Sequence, residues 1–146
     1  MEPVYYEHVV QYYETDRMDC VHHSNYIRWF EEARTYLMDQ GGFGYAQMEA
    51  LGVVSPVLKA QAEYRTMARY GERVIVETTA EFYTGTRIGF LYTVRDKATG
   101  TVRCLGRTEH CFLGEQGRPV SLKQACPSYH QQIIEALGCQ PAKGCN

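Results

Sequence analysis

Apolar positions recur at every second residue over most of this chain, and at helical spacing in only two stretches. Val4 to Thr15 is rich in Tyr and Val, with Tyr6, His8, Val10 and Tyr12 on one side of an extended chain, so it predicts a first strand ending at a turn over Asp16–Asp19. Val57 to Tyr64 alternates cleanly: Leu58, Ala60, Ala62 and Tyr64 face one way, and Lys59, Gln61 and Glu63 the other. Pro56 stands at its start, where a missing N–H is tolerated. Val74–Tyr83 and Ile88–Val94 repeat the alternation and Val102–Leu113 is read as a fifth strand, with turn residues at Thr84–Gly85–Thr86 and a hairpin loop at Asp96–Gly100. A Gly-rich turn at Gly114–Pro119 follows.

The period changes at Tyr26. Tyr26, Phe30, Ala33 and Leu37, widened by Ile27 and Trp29, form an apolar stripe that predicts a helix to Asp39. Ser24 or Asn25 is the expected N-cap, and Gly41-Gly42 stops the helix. Arg28, Glu32, Thr35 and Asp39 make its polar face, with Arg28 and Glu32 spaced for an ion pair. Gly44–Leu51 reads as a short irregular helix or loop, Pro127–Leu137 as a terminal helix closed by Gly138, and Gln140–Asn146 as a loose tail. One strand, a helix wide enough in its apolar stripe for a sheet to wrap it, four strands and a short helix place the chain in the α+β class. The strand order stays open from pattern alone.

Composition narrows the partners. At 146 residues a single domain is expected, over 1–138, with 139–146 as the tail. A net charge of −2 gives no reason to expect nucleic acid, although a local basic patch can still hold an anionic ligand. The 12 tyrosines favour strands and interfaces. Six cysteines include no C-x-x-C pair, and the N-terminus lacks the basic region and apolar run of a signal peptide. Reduced thiols and a cytoplasmic location are expected. No stretch has the ~20 apolar residues of a membrane span.

The chemistry concentrates between Tyr12 and Arg34. Asp16 and two histidines, His22 and His23, stand just upstream of a helix start, which carries unpaired N–H groups and a partial positive charge. A carboxylate facing such amides can attack, or activate a water against, a carbonyl whose oxygen they hold, so the stretch suggests acyl-transfer hydrolysis. Taken alone, Asp16 reads more readily as a turn former and His23 as a surface or interface histidine. Asp16, Asp19, His22 and His23 have ligand chemistry suited to zinc or iron, but their spacing fits no metal motif. In an extended chain His22 points away from His23 and receives no role.

Tyr13, Thr15, Asp16, His23, Tyr26, Trp29, Glu32, Ala33 and Arg34 together resemble the hotdog-fold acyl-CoA thioesterases of the 4-hydroxybenzoyl-CoA thioesterase and YbgC-like group. Glu63-Tyr64 and Arg69–Glu72 extend the resemblance more weakly. Asp19 stands where that group usually has Gly, and Asp tolerates the left-handed backbone such a turn needs; the alternative is a second carboxylate beside Asp16.

The resemblance implies a hotdog fold, a curved antiparallel five-stranded sheet wrapped around the long helix. It implies a homodimer or homotetramer with sites at subunit interfaces. It also implies an acyl-CoA substrate, cleaved to free acid and coenzyme A without a cofactor or metal of the protein's own. Asp16 is then the catalytic carboxylate, as nucleophile or general base, paired with His23, whose backbone amide polarises the thioester carbonyl. Tyr26, Arg69 and Arg87 are the substrate-binding candidates, with Lys59 a further cation for the coenzyme. Glu32 and Arg34 are expected in an ion pair, and Trp29, Phe30 and Tyr64 in the core. Acyl-carrier-protein hydrolysis and non-catalytic thioester binding remain as alternatives.

Overall fold

The computed structural model describes residues 1–138; the expected tail at 139–146 lies outside the described residues. Five strands, β1 (Val4–Val9), β2 (Val57–Tyr64), β3 (Arg73–Tyr83), β4 (Arg87–Asp96) and β5 (Val102–Cys111), form one antiparallel sheet in the order β1-β3-β4-β5-β2. Helix α1 (Ser24–Gln40) connects the two edge strands and lies across the sheet's inner face; α2 (Tyr45–Ala50) follows it. Helices α3 (Leu122–Ala125) and α4 (Pro127–Leu137) close the described chain, α4 with the predicted bounds and Gly138 in the left-handed region at φ 67°. This is the hotdog architecture the resemblance implied. None of the described helices is long and apolar enough to cross a membrane.

One row of paired residues, Val4, Thr78, Tyr92, Gly106 and Ala62, runs across all five strands beneath α1. Trp29, Phe30, Ala33 and Leu37 are fully buried on it. Phe30 stacks on Tyr92 with ring centroids 4.5 Å apart and 13° between planes. Gly106 makes room for this: a Cβ there would run into the Phe30 ring. The helix therefore sits close to the sheet at its centre, where dispersion contacts are densest.

Three sequence expectations change. The first strand stops at Val9 rather than Thr15, because a 3₁₀ turn at Tyr12–Glu14 rotates the Glu14 carboxylate into the core. Tyr12 is consequently 76% exposed rather than in line with Tyr6 and His8. Helix α1 begins at Ser24, with His23 rather than Ser24 or Asn25 at the N-cap position. Finally, β2 has the predicted span, but neither of its sides is buried, the one turned toward α1 included: Val57 is 51%, Leu58 44% and Tyr64 47% exposed. Tyr64 is thus not a core residue, whereas Trp29 and Phe30 are.

A candidate active site at the start of helix α1

Residues 14–23 form a small hairpin. Glu14 O accepts from His22 N at 2.8 Å, Thr15 and Val21 form an isolated antiparallel bridge, and Asp16 N donates to Cys20 O at 2.9 Å. Asp19 closes the turn, donating its N–H to Asp16 O at 3.1 Å, with φ at 61°. That is the left-handed backbone region that favours Gly and tolerates Asp, so Asp19 acts as the turn residue. Its side chain faces Arg69 Nη1 at 3.5 Å and is 88% exposed.

Asp16 Oδ1 accepts from Met18 N at 2.8 Å and from the Cys20 thiol at 3.8 Å. Asp16 Oδ2 has no hydrogen-bond partner among the described residues. Burial, and then the Asp16 charge, push the Cys20 thiol up, so it stays a neutral donor. One oxygen is pinned and the other is open, which is the arrangement a reacting carboxylate needs.

The helix start opposite is braced from several sides. Ser24 N donates to His22 Nδ1 at 3.2 Å, and Asn25 N to His22 O at 3.0 Å. Among the described residues the His23 N–H has no acceptor. It sits at the positive end of α1, where an oxyanion would be favoured. The His23 carbonyl accepts from the Tyr64 hydroxyl at 3.1 Å. The His22 and His23 ring centroids lie 4.1 Å apart with 30° between planes, so the rings do not point opposite ways as extended geometry predicts; the helical backbone at His23 turns them together. No hydrogen bond joins Asp16 to His23 among the described residues.

Tyr26 is 3% exposed, packed between Trp29 at 4.8 Å and Tyr64 at 5.4 Å, and burial pushes its phenol up to about 12. It forms the floor beneath Tyr64. Arg69 donates to the Asp19 carbonyl at 2.8 Å and so braces the turn. Lys59 faces Glu109 at 3.8 Å. Arg87 lies elsewhere: with Thr86, Ser121, Leu58, Phe112 and Val120 it rims a cavity of about 360 Å³. Leu58 and Tyr64 are six steps apart on β2, about 20 Å at strand rise, so one protomer does not bring Arg87 to Asp16.

Two helix residues found other partners. Glu32 reaches His8 Nδ1 at 3.1 Å, across to β1, instead of pairing with Arg28. Arg34 is 4% exposed; it donates to the hydroxyls of Tyr45 at 2.9 Å and Tyr92 at 3.1 Å, with Glu31 only at 3.8 Å. Among the described residues, Asp16, Asp19, His22 and His23 form no metal-binding group.

Sequence reasoning missed Glu14. It is 3% exposed, and its carboxylate takes the Trp29 indole N–H at 2.6 Å, His8 Nε2 at 2.7 Å and the Gln11 amide at 2.8 Å. The available signal was Trp29 itself: an indole on the buried helix stripe needs an acceptor, and Glu14 borders the site.

Comparison with known proteins decides the family. A profile described as the thioesterase-like superfamily matches residues 10–134. The chain belongs to that superfamily. It is 36% identical over 128 residues to YneP of Bacillus subtilis, provisionally named an acyl-CoA thioesterase, spanning 87% of this chain and 92% of that one. Among solved structures it is similar to a DHNA-CoA thioesterase from Staphylococcus aureus, with TM-score 0.88, 31% identity, and 94% of this chain and 93% of that one covered. A second Staphylococcus aureus protein, solved in complex with CoA, shares the fold at TM-score 0.82 and 16% identity, over 98% of this chain and 89% of that one.

Proposed function

We propose that the protein is an acyl-CoA thioesterase, which adds water to a thioester and releases the free carboxylic acid and the thiol of coenzyme A. The thioester carbonyl sits with its oxygen on the His23 N–H, and Asp16 Oδ2 faces its carbon. Asp16 either attacks that carbon, forming an anhydride that water then opens, or takes the proton of an attacking water; the thiolate leaves in both routes. The observation that carries this reading is that the two limbs of one hairpin hold an Asp16 oxygen and a His23 amide, each without a hydrogen-bond partner among the described residues. A thiolate leaves readily, so no serine triad is needed, and the only coenzyme is the one the substrate brings. The His23 side chain, exposed and stacked on His22, is placed to shuttle protons at the rim.

The uncovered side of β2 points to a second copy of the chain. Antiparallel pairing of two β2 edges about a two-fold axis lays the Leu58 end of one protomer beside the Tyr64 end of the other. Each Arg87 cavity then adjoins the Asp16 corner of the neighbouring protomer, and Arg87 meets the phosphates of the coenzyme. The homodimer is the minimal unit; a homotetramer pairs two of them. The free thiols of Cys20, Cys104, Cys111 and Cys126 fit a reducing, cytoplasmic setting.

The test is hydrolysis of short, long and aromatic acyl-CoAs and of one acyl-carrier-protein thioester, followed by chromatography. Acid and coenzyme A released one to one from an acyl-CoA support the proposal. Turnover of the carrier-protein thioester alone, or of no thioester by folded protein, rejects it. In ¹⁸O water, a single turnover that labels Asp16 identifies an anhydride opened at the Asp16 carbonyl, and label confined to the product acid is the outcome of the water route or of opening at the acyl carbon.

A further inference from the structure

Glu14 is a buried carboxylate with no Lys or Arg against it among the described residues, its ion-pair partner there being His8. Such a group is costly to bury unless its oxygens are fully hydrogen-bonded, and an apolar residue of similar size would fill the same space at less cost. Here the compensation is complete. Glu14 Oε1 accepts from Gln11 N at 2.8 Å and meets His8 Nε2 at 2.7 Å, and Oε2 accepts from Trp29 Nε1 at 2.6 Å. Its backbone carbonyl takes two more donors, His22 N at 2.8 Å and Asn25 Nδ2 at 2.9 Å. The partners come from β1, from the turn between, and from the first two turns of α1.

The hairpin that carries Asp16 grows out of this knot. The Glu14–His22 rung is its base, Thr15 and Val21 bridge next, and the Asp16–Cys20 rung follows. A tilt at Glu14 therefore swings Asp16 relative to the His23 amide. We propose that Glu14 is the positioning residue of this site: its clamp on Trp29, His8 and Asn25 sets the distance between the Asp16 carboxylate and the start of α1. The proposal rests on Asp16 as the reacting carboxylate. Glu14 is too deeply buried to touch the substrate, so it acts on turnover and not on binding. Displacement of a reacting group by about 1 Å costs up to about 100-fold in rate.

The experiment uses the full chain and the acyl-CoA it turns over best. Glu14→Gln keeps the shape but turns an NH₂ toward one of the donors. Trp29→Phe removes a single donor. Asn25→Ala loosens the carbonyl clamp and leaves the carboxylate alone. All are assayed well below their melting temperatures, beside Asp16→Asn. The expected result for Glu14→Gln is a tenfold to hundredfold fall in kcat, of order the displacement effect above, with KM within about twofold of wild type. Trp29→Phe and Asn25→Ala show the same signature more weakly. Combining Glu14→Gln with Trp29→Phe costs no more than Glu14→Gln alone, because the new NH₂ no longer opposes the indole.

Wild-type kcat in folded Glu14→Gln, with Asp16→Asn inactive, overturns the role of Glu14 and leaves that of Asp16 standing. Should Glu14→Gln fail to fold, wild-type kcat in both Trp29→Phe and Asn25→Ala overturns it equally. A fall in kcat matched by a rise in KM also overturns it, since that is general loosening of the binding face. Full activity in Asp16→Asn removes the reading of the site, and this inference with it.

Discussion

Glu14 and His110 are both buried polar groups on the inner side of the molecule, and they are provisioned in opposite ways. At Glu14 both carboxylate oxygens and the backbone carbonyl have donors. At His110, which is 1% exposed, a chain of hydrogen bonds runs from Arg34 to Tyr92 at 3.1 Å, from Tyr92 to Thr108 at 2.7 Å, and from Thr108 to His110 Nε2 at 2.9 Å. It ends there: His110 Nδ1 has no partner among the described residues. The first cluster ties down backbone that carries the candidate site. The second spans the middle of the sheet, away from the Asp16 hairpin. On the proposals above, the first therefore governs turnover, and the second governs stability and its pH dependence.

The largest effect expected from the second cluster is acid sensitivity. Burial first, and then the Arg34 charge, lower the His110 pKa from 6.5 to about 4. The unfolded chain thus takes up a proton more readily than the folded one between these values. Stability is full above pH 6.5 and falls as the pH drops toward about 4, by up to about 3 kcal/mol. Urea denaturation across this range measures it, and His110→Leu flattens that part of the curve. Equal slopes in both proteins would assign the acid sensitivity elsewhere.

Arg34→Met is the next test of the contrast. It removes the buried cation and leaves the Tyr45 and Tyr92 hydroxyls short of a donor, at an expected cost of about 2 kcal/mol. Turnover of the folded variant stays within about threefold of wild type, because the site hairpin does not lean on Arg34. A loss of kcat as large as that expected for Glu14→Gln would erase the distinction between the clusters. The smallest effect is that of Tyr64→Phe, which deletes one half-exposed hydrogen bond to the His23 carbonyl. Melting moves little, by about 0.5 kcal/mol, and kcat falls a few-fold if that carbonyl helps to orient the helix start.

What was legible in the sequence follows the range of the forces. The strands at Val57–Tyr64, Val74–Tyr83 and Ile88–Val94 alternate in sequence with a period of two, and the turn residues around Val102–Leu113 marked the last one, so local pattern sufficed to find them. The bounds of Pro127–Leu137 come from proline and glycine, which act on the backbone locally. Asp19 was readable as a turn residue for the same reason. The extra length given to the first strand, the N-cap of α1 and the partners of Glu32 and Arg34 were not readable. Each depends on a contact across the sheet: Glu14 with Trp29 and His8, Glu32 with His8, Arg34 with Tyr92. The strand order and the uncovered side of β2 also lie outside local pattern, since alternation says which residues share a face and nothing about whether that face is covered. The Asp16 stretch was found through its chemistry and its resemblance to a family. Its hydrogen bonds, with Oδ1 pinned and Oδ2 open, needed the structure.

The most direct test of the central claim is the rate of acyl-CoA hydrolysis by Asp16→Asn beside Asp19→Asn, with acyl-CoA loss followed by chromatography because the six cysteines can react with thiol reagents. Asn at position 19 keeps the left-handed turn and removes an exposed charge, so its activity stays within about twofold of wild type. Asn at position 16 keeps the shape and removes the carboxylate proposed to react, and kcat is expected to fall by about 1,000-fold or more with CoA binding retained, an effect of at least about 4 kcal/mol on the barrier. Turnover by Asp16→Asn within a few-fold of wild type would contradict the account.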